Sequence, residues 1–488
     1  MPTVGLVLAT ILLAACGSQV HPESIGTAAN GTAAQAEGTE VAASTTPDGV
    51  VTDPLDGSTS SQAPVPVSDG AAGVATPDTA VEPGQGAEPE TSGDGPAPSA
   101  ETDSPATAAS CDGFKNQLGI TDTTITISNS ADISGPVPGL MQPSQDAVRA
   151  YAAYFNSTSD ICGRKLEVLG LDSRTDASAD QQSYARACEE SFAAVGSMSA
   201  FDSGGAKTAE QCGLPDLRAA SATLARSECS TCFGAFSLLA NEFENAVPDF
   251  VRKNYPEGAK RAAYVWINVG AVPANAKYQV EAMEKRGVNF VVERPIDISE
   301  FNYTPHVQAL KDADVEYVQF LGSVQHAVRM VQAMRQNNYW PDLLMMSQPM
   351  YEESYIAQAG PASEDTHVFV THTPFFEASN NPEISLYMSW LDQVRPGATP
   401  TSYGLFSWSA AKLFVERAIA LGGRLSRTTL LEDLRGVRNW TADGAHSPQN
   451  VGSKRTAECW RFIKVSSSRW VPAGTKEFTC SGTTTVPK

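Results

Sequence analysis

The spacing of hydrophobic positions changes repeatedly along the chain from residue 123 onward. Short apolar runs rich in β-branched residues alternate with longer stretches in which apolar residues recur every three or four positions. The run Thr123–Asn129 (TTITISN) is typical of a strand, whereas Gln145–Phe155 places Ala147, Val148 and Tyr151 on one face of a helix. This alternation predicts βαβ units, parallel sheets and therefore an α/β fold.

Nine strands are predicted in this way: Thr123–Asn129, Lys165–Asp172, Ala193–Gly196, Asp216–Ala220, Arg261–Asn268, Asn289–Glu293, Val315–Gly322, Leu343–Ser347 and His367–Thr371. Helices are predicted over Gln145–Phe155, Asp180–Phe192, Asn241–Lys253, Ala274–Arg286, Tyr303–Lys311, Gln325–Gln336 and Ser402–Leu421. So many strands exceed one compact sheet, and two α/β lobes are the natural solution. The tail segments Cys459–Val465 and Arg469–Phe478 are expected to form a final antiparallel pair.

The amino end carries an export pattern. Gly5–Ala15 is an apolar run of 11 residues, too short to span a bilayer and about right for a signal-peptide core. It leads into Leu13-Ala-Ala-Cys16-Gly17, which resembles the bacterial lipobox that precedes a lipid-modified cysteine. Residues 1–15 are therefore expected to be a lipoprotein signal peptide and Cys16 its lipid attachment site. The alternative is an ordinary signal peptide with a stray Cys, and Met1–Val4 lacks the usual basic residue.

Composition separates a linker from a globular part. Residues 17–110 contain no aromatic residue, Lys or Arg, and they hold 14 of the 55 acidic residues. Such a segment buries too little apolar surface to offset its ordering entropy, so residues 16–110 are expected to be a disordered acidic Ala/Gly/Ser/Thr/Pro linker. The globular domain is expected at residues 111–488.

Charge and hydropathy restrict the function of the globular part. All 34 basic residues lie there with the other 41 acidic ones, so its net charge is −7 against −21 for the chain. A basic nucleic-acid surface is therefore not expected. Since no apolar run reaches the length of a membrane span, a polytopic membrane protein is also excluded.

Nine cysteines are present, and eight remain if Cys16 carries lipid. An even set suits disulfides in an oxidising compartment. Cys229-Ser-Thr-Cys232 could be a redox pair or half of a zinc site, but a local structural disulfide is favoured because it has no second CxxC and no neighbouring His.

The loops that follow the predicted strands are rich in Gly, Ser, Thr and amide residues and poor in paired acids and His. These loops are Ala131–Gly139, Gly196–Gly204, Ala220–Thr223, Asn268–Ala271, Gly322–Gln325 and Ser347–Tyr351. Ligands of parallel α/β sheets bind beyond the carboxyl ends of the strands, so function is sought there. The six histidines form no zinc-ligand set, and no nucleophile or phosphate-binding motif is present. We therefore expect no enzyme, no metal site and no cofactor.

An ordered series of motifs resembles the leucine/isoleucine/valine-type periplasmic binding proteins, the type 1 substrate-binding family of ABC importers. The series comprises Ile125-Thr-Ile127, Asp132–Val137 (DISGPV), Tyr154-Phe-Asn156, Ile161–Leu166 (ICGRKL), Leu171-Asp172, Val195-Gly-Ser197 and the strand–Gly–helix unit Val318–Ala327. It covers roughly residues 123–421.

The resemblance implies two Rossmann-like lobes joined by three crossovers, with the ligand cleft between them. Lobe 1 would hold about residues 114–238 and 375–452, and lobe 2 about 239–374 and 453–488. In that fold, cysteines near the same sheet edge are expected to pair. The implied disulfides are Cys111–Cys162, Cys188–Cys212, Cys229–Cys232 and Cys459–Cys480.

The resemblance also implies a set of ligand-binding residues. These are Ser134, Gly135, Val137, Leu140, Ser199, Phe201, Asp202, Thr223, Asn268, Ser323, Gln325, Gln348 and Tyr351. In amino-acid-binding members, hydroxyls and backbone N–H groups of lobe 1 meet the ligand carboxylate, and an acid of lobe 2 meets its ammonium. The position aligned with that acid here is Gln348, so a neutral or amide-bearing ligand suits the loops at least as well. The alternative interpretation of Ser199, Asp202 and Thr223 is that they cap helices. The alternative interpretation of Phe201 and Tyr351 is that they are packing residues.

The implied function is an extracytoplasmic solute-binding lipoprotein on the bacterial cell membrane. It would capture a small polar solute, such as an amino acid or amide, and deliver it to the permease and ATPase of an ABC-type importer. A monomer is expected, with no nucleic-acid partner. The alternatives are a ligand-sensing receptor of the same fold that signals through a membrane partner, and a surface interaction protein.

Overall fold

The structure is a computed structural model that describes residues 109–488. The expected signal peptide, the lipid site at Cys16 and almost all of the linker lie outside the described residues. Two mainly parallel sheets, each covered by helices, dominate the described part. None of its helices combines the length and the apolar character that crossing a membrane requires.

The first sheet has five parallel strands in the order β2-β1-β3-β4-β5. They are Thr124–Ala131 (β1), Lys165–Asp172 (β2), Ala193–Val195 (β3), Asp216–Arg218 (β4) and Cys232–Gly234 (β5). The central strand β1 is buried over its last five residues because helices cover both faces of the sheet.

The second sheet has the order β13-β12-β11-β10-β9-β7-β8, and along this path only β12 runs antiparallel to the other strands. Its strands are Ala262–Asn268 (β7), Phe290–Asp297 (β8), Tyr317–Leu321 (β9), Leu343–Met346 (β10), Thr366–Val370 (β11), Cys459–Ser466 (β12) and Arg469–Pro472 (β13). Thr479–Cys480 (β14) pairs with β12. The short strand Glu242–Glu244 (β6) precedes this sheet and pairs with Thr483–Thr485 (β15) in a separate two-stranded sheet.

Thirteen helices fill the intervals between strands in the described residues. They are Gln142–Thr158 (α1), Ala177–Glu190 (α2), Ser203–Gln211 (α3), Leu224–Glu228 (α4), Ala246–Asn254 (α5), Pro256–Lys260 (α6), Val272–Lys285 (α7), Thr304–Asp312 (α8), Val324–Gln336 (α9), Glu353–Ala359 (α10), Pro382–Val394 (α11), Ser402–Leu421 (α12) and Arg427–Leu434 (α13). The helix α12 is buried on most sides, since it packs on α1 and against β3 and β4.

The chain passes between the sheets three times. It leaves the first sheet after β5, returns from β11 to the helices α11–α13 that cover the first sheet, and enters the second sheet again at β12. The two sheets with their helices therefore form two Rossmann-like lobes joined by three crossovers, as the family resemblance implies. We call the lobe of the first sheet lobe 1 and that of the second sheet lobe 2.

The three crossovers meet at Gln449, whose side chain is fully buried. Its Oε1 accepts a hydrogen bond from the Ser237 N–H (2.9 Å) in the first crossover. Its Nε2 donates to the Ser447 carbonyl (3.0 Å) and, at a longer 3.4 Å, to Thr371 Oγ1 in the second crossover. Thr371 Oγ1 in turn donates to the carbonyl of Cys459 (2.9 Å), at the start of β12. One amide thus fixes the crossovers relative to one another.

Four disulfides are present: Cys111–Cys162, Cys188–Cys212, Cys229–Cys232 and Cys459–Cys480. They are the same four pairs that the family resemblance implies. The first three lie in lobe 1, and the fourth fastens β14 to β12 in lobe 2. The full pairing of eight cysteines suits an oxidising compartment.

One predicted helix begins later than expected. The expected helix Asn241–Lys253 is replaced by β6 and then by α5, which starts at Ala246. The strand forms because its partner β15 lies some 240 residues away in sequence, and no local pattern reports such a pairing. The buried Glu242 also accepts hydrogen bonds from Arg455 Nε (2.9 Å) and the Thr456 N–H (2.9 Å), which fix the strand.

A fully buried ionic cluster supports the carboxyl ends of the strands in lobe 1. Arg226 Nη1 contacts Asp216 at 2.9 Å and its Nη2 contacts Asp180 at 3.0 Å. Arg218 lies 3.3 Å from Asp216 and 3.6 Å from Asp202, and all of these side chains have zero exposure. Removing one member of such a cluster leaves a buried charge without compensation.

We expect Arg226→Met to lower the free energy of unfolding by about 3–5 kcal/mol, because Asp180 then loses its cation in a buried site. Denaturant unfolding with the disulfides intact measures the loss. The control is Arg186→Met, whose side chain is 53% exposed beside Glu190, so that loss of its solvent-screened ion pair should change stability far less. Equal losses in the two variants would contradict the prediction.

Two buried histidines make stability depend on pH at the crossovers. His372 and His446 form a backbone bridge, and burial lowers the pKa of His372 to about 4 and that of His446 to about 3. The usual pKa of histidine is 6.5, so above that pH these histidines are neutral in both the folded and the unfolded protein and add no pH dependence to stability. As the pH falls from 6.5 towards 4, only the unfolded state takes up protons, and the folded state loses stability.

The expected slope approaches about 1.4 kcal/mol per pH unit for each of these histidines. Urea unfolding at several pH values between 7 and 5 measures this slope. His446→Gln should reduce it by the contribution of one histidine, about 1.4 kcal/mol per pH unit. An unchanged slope in that variant would show that His446 does not titrate in this way.

Candidate functional site

A cavity of about 300 Å³ lies between the lobes. Its lining comes from loops at the carboxyl ends of β1, β3 and β4 in lobe 1 and of β7, β9 and β10 in lobe 2, together with β6 and the start of β12. This is where ligands of parallel sheets bind, because the strands end there and the side chains of successive loops converge. We call it the cleft.

Apolar side chains make most of the cleft walls. They include Leu140, Met198, Phe236, Phe243, Ile267, Val269, Val272, Leu321, Met350, Phe369 and Trp460. In the part of the chain that the structure describes, neither Lys nor Arg lines the cleft. The cleft is therefore suited to an apolar body, with orientation left to a few polar groups.

Five of the predicted ligand-binding residues line the cleft: Val137, Leu140, Ser323, Gln325 and Gln348. Gln348 is buried, its Oε1 accepts from the Thr371 N–H (3.0 Å), and its Nε2 has no hydrogen-bond partner in residues 109–488. The neighbouring Ser347 Oγ is likewise buried without a partner and also lines the cleft. These two groups are free to bond a polar atom of a ligand.

Ser134 and Gly135 are not among the cleft-lining residues, since they lie in the turn after β1, which is hydrogen-bonded to Asp172 at the end of β2. Ser134 Oγ donates to Asp172 (2.5 Å), and the backbone N–H groups of Ser134 and Ile133 donate to the same carboxylate. Partial burial acts to raise the pKa of the Asp172 carboxyl, but the hydrogen bonds together outweigh it, so the pKa is lowered. Gly135 has φ +108°, and a Cβ there would lie 2.3 Å from the Arg174 carbonyl oxygen. The glycine is needed for this close approach.

The hydroxyls expected to meet a ligand carboxylate bind the protein's own carboxylates instead. Ser199 Oγ donates to Asp132 (3.0 Å), and Thr223 Oγ1 donates to Asp202 (2.7 Å) while capping α4. The backbone N–H groups of the same two loops are also engaged, Ala200 with Asp132 (2.8 Å) and Ala222 with Asp202 (2.7 Å). Asp132 and Asp202 have zero exposure, and the donors bonded to them are therefore not available to a ligand in the cleft.

The last three predicted residues also lie outside the lining. Phe201 belongs to the turn before α3, and Asn268 is exposed at the end of β7. Tyr351 is buried among aromatic rings, stacking on Phe375 at 5.1 Å between ring centres, and its hydroxyl accepts from the Phe375 N–H. Packing explains Tyr351, because its polar end is already bonded within the protein.

Three glutamates that the site prediction omits line the cleft. Glu242 is held by Arg455, whereas Glu244 is buried and its Oε1 lacks a partner. Burial raises the pKa of Glu244 well above its usual range. Only the pairing of β6 with β15 places these two residues here, so no local sequence signal could have found them.

Glu352 is the third of these acids and is the N-cap residue of α10. Burial raises its pKa to about 6, against the opposing hydrogen bond from Ser354 Oγ (2.8 Å). It also borders a second, more polar cavity of about 800 Å³ beside Asp146 and Arg395. The sequence shows Glu352 after β10, but whether it faces the cleft or the outer helix surface depends on the short turn Gln348–Met350.

The chain matches a known protein family and has the fold of several solved structures. The family model for periplasmic binding proteins matches residues 124–469. A fatty acid ABC transporter substrate-binding protein from Thermomonospora curvata superposes with a TM-score of 0.65 at 18% identity, covering 77% of this chain and 97% of that one. No curated protein matches the chain.

Two further solved structures have the same fold. A leucine binding protein from Thermotoga maritima superposes with a TM-score of 0.60 at 15% identity, covering 72% of this chain and 98% of that one. A branched-chain amino acid transporter substrate binding protein from Streptococcus pneumoniae, in complex with isoleucine, gives 0.61 at 12% identity, covering 74% of this chain and 100% of that one. At such identities the likeness is one of fold.

Proposed function

The chain belongs to the periplasmic binding protein family, and on that premise we propose that it captures a small solute with a largely apolar body and delivers it to an ABC-type importer. The solute sits between the two lobes, outside the cytoplasm. The family's members are binding components of transporters, and the structural neighbours carry that description in their names.

The observation that carries the proposal is the cleft itself. It is lined from both lobes, so a bound solute contacts both and favours their closed arrangement through contacts made only on closure. Burial of apolar solute surface against its walls provides affinity, at about 25 cal/mol per Å² of apolar area before the costs of association.

An apolar body fits the cleft better than the small polar solute expected from the loop sequences. An amino acid needs donors for its carboxylate, and Ser199 and Thr223 donate to Asp132 and Asp202 instead. Gln348 Nε2 and Ser347 Oγ remain for a neutral polar group of the solute. Leucine and fatty acids, named for two of the neighbours, share an apolar body, which is the part that this cleft can accept.

The proposal extends to the amino end and to the division of the domain. Residues 1–15 serve as a signal peptide, Cys16 carries lipid, and residues 16–110 are a tether between that lipid and the domain. The tether holds the domain 111–488 away from the membrane surface as a monomer. Lobe 1 comprises about residues 114–238 and 375–452, and lobe 2 about residues 239–374 and 453–488.

Calorimetric titration of the purified full chain with a panel of alkyl and aryl solutes and of amino acids tests the proposal. We expect binding of apolar-bodied solutes with a negative heat-capacity change, and weaker binding of small polar amino acids. Val269→Trp fills the cleft from a partly exposed position and should weaken binding at least tenfold.

The matched control is Val291→Trp, an equal change on the exposed edge strand β8, which should leave affinity unchanged. Mass spectrometry of solute released on denaturation gives an independent readout. Absence of any bound or binding solute, or equal affinity in Val269→Trp and the parent chain, would refute solute capture in this cleft.

Lipid anchoring predicts the fate of a Cys16→Ser variant. Without the thiol no lipid can be attached, so the variant should leave the detergent-rich phase in a detergent phase-partition assay while keeping its solute affinity. The parent chain should enter that phase. Retention of Cys16→Ser in the detergent-rich phase would show that something other than this cysteine anchors the chain.

A further inference from the structure

Glu244 is the cleft residue whose chemistry the proposed function leaves unexplained. It is 2% exposed, lines the cleft, and its Oε1 lacks any hydrogen-bond partner in residues 109–488. The contrast with Glu242, two residues earlier in β6, is informative. Glu242 is compensated by Arg455, while Glu244 has no ion pair with any residue of the described chain.

The elements packed around Glu244 supply no cation. Tyr264 of β7 and Tyr317 of β9 are the titratable groups that interact with it. Their hydroxyls donate to Gln279 and to Gln319, the latter at 2.6 Å, and so are not available to the carboxyl. From α7 the cleft receives the uncharged Asn275 and Gln279, and β15 pairs with β6 through threonines.

The other titratable groups of the cleft also favour a cationic ligand over an anionic one. Its only histidine among the described residues, His326, has its pKa lowered by burial and is neutral at pH 7. Glu352 is a second acid without a basic partner. An anionic head group would therefore meet acidic groups, apolar walls and a few uncharged donors such as Gln348 Nε2 and Ser347 Oγ, but no cation, because the cleft has no Lys or Arg among the described residues and the donors beside Ser199 and Thr223 are already engaged.

We propose that the solute is an amphiphilic amine, with its apolar body against the cleft walls and its ammonium group paired with the Glu244 carboxylate. This inference rests on the proposed function and specifies its substrate class. An uncompensated buried carboxyl is favourable as an anion only when a cation accompanies it, and here the ligand provides that cation.

Binding is coupled to the loss of one proton. Below the pKa of Glu244 in the free protein, the amine arrives protonated, the neutral Glu244 carboxyl releases its proton to solvent, and the carboxylate pairs with the ammonium. No other bond forms or breaks. Affinity for the amine should therefore rise up to tenfold per pH unit below the pKa of Glu244 in the free protein.

Glu244 is preferred over Glu352 as the partner of the ammonium. Glu352 already accepts a hydrogen bond from Ser354 (2.8 Å) and shares the second cavity, whereas Glu244 lies only against the cleft with an unused oxygen. The two assignments differ in which variant abolishes proton release, so a single experiment separates them.

The test is calorimetric titration of the full chain with octylamine, octan-1-ol and octanoate, which share one apolar body. We expect octylamine to bind tightest and octanoate weakest. Titration at pH 7 in two buffers of different ionisation enthalpy should report release of about one proton with octylamine and none with octan-1-ol. Because this readout uses the parent chain, it does not depend on any variant folding.

Glu244→Gln keeps the shape of the side chain and removes its charge. It should weaken octylamine at least tenfold, abolish proton release and leave octan-1-ol unchanged, whereas Glu293→Gln, on the exposed face of β8, should change none of these. Preference for octanoate, absence of proton release, or loss of proton release in Glu352→Gln but not Glu244→Gln would overturn the inference.

The failure of the inference and that of the proposed function are distinguishable. If other solutes of the panel bind in the cleft while octylamine does not, the amine assignment is wrong and solute capture stands. If no solute of any charge binds and none is released on denaturation, the proposed function fails and the inference fails with it.

Discussion

The hydrogen bonds of one buried amide, Gln449, hold the three crossovers together, and the rest of the molecule depends on that junction. Ser237, Thr371 and Ser447 all reach this side chain, and Thr371 also bonds the start of β12. Each lobe could form its own sheet without it, but the cleft exists only because the lobes are held at a fixed point. A buried amide left unpaired is costly, so the junction is favoured only when all three segments are in place.

The two lobes contribute differently to the cleft. In lobe 1 the ionic cluster around Arg226, together with Asp132 and Asp202, binds the loop ends to one another. Those bonds use the donors that could otherwise recognise a ligand, so lobe 1 offers the cleft mostly apolar surface. Lobe 2 and β6 retain unpartnered polar atoms at Ser347, Gln348 and Glu244. Among residues 109–488, lobe 1 adds the unpartnered Thr175 Oγ1 to the cleft lining, so most of the unpartnered polar atoms there belong to lobe 2 and the crossover strand.

The sequence predicts the parallel strands and most helices well, because strands buried on both faces are continuous apolar runs such as Leu343–Met346. The family resemblance supplies the crossovers and the disulfide pairs. The site was harder to predict. Ser199 and Thr223 have the right residue type, but only the folded loops show that Asp132 and Asp202 occupy their hydroxyls. Glu244 has no local sequence signal, because its placement depends on a strand partner that is remote in sequence.

The pairing of β6 with β15 also sets an order of events during biosynthesis. An exported chain emerges amino end first, so β6 becomes available long before Thr483–Thr485. Closing so long a loop is slow, and Glu242 and Glu244 reach their positions in the paired strand only after it closes. The last strands of lobe 2, β12 and β13, and the partner of the acidic strand β6 therefore all come from the same late part of the chain, so the second sheet and the acidic side of the cleft are completed together.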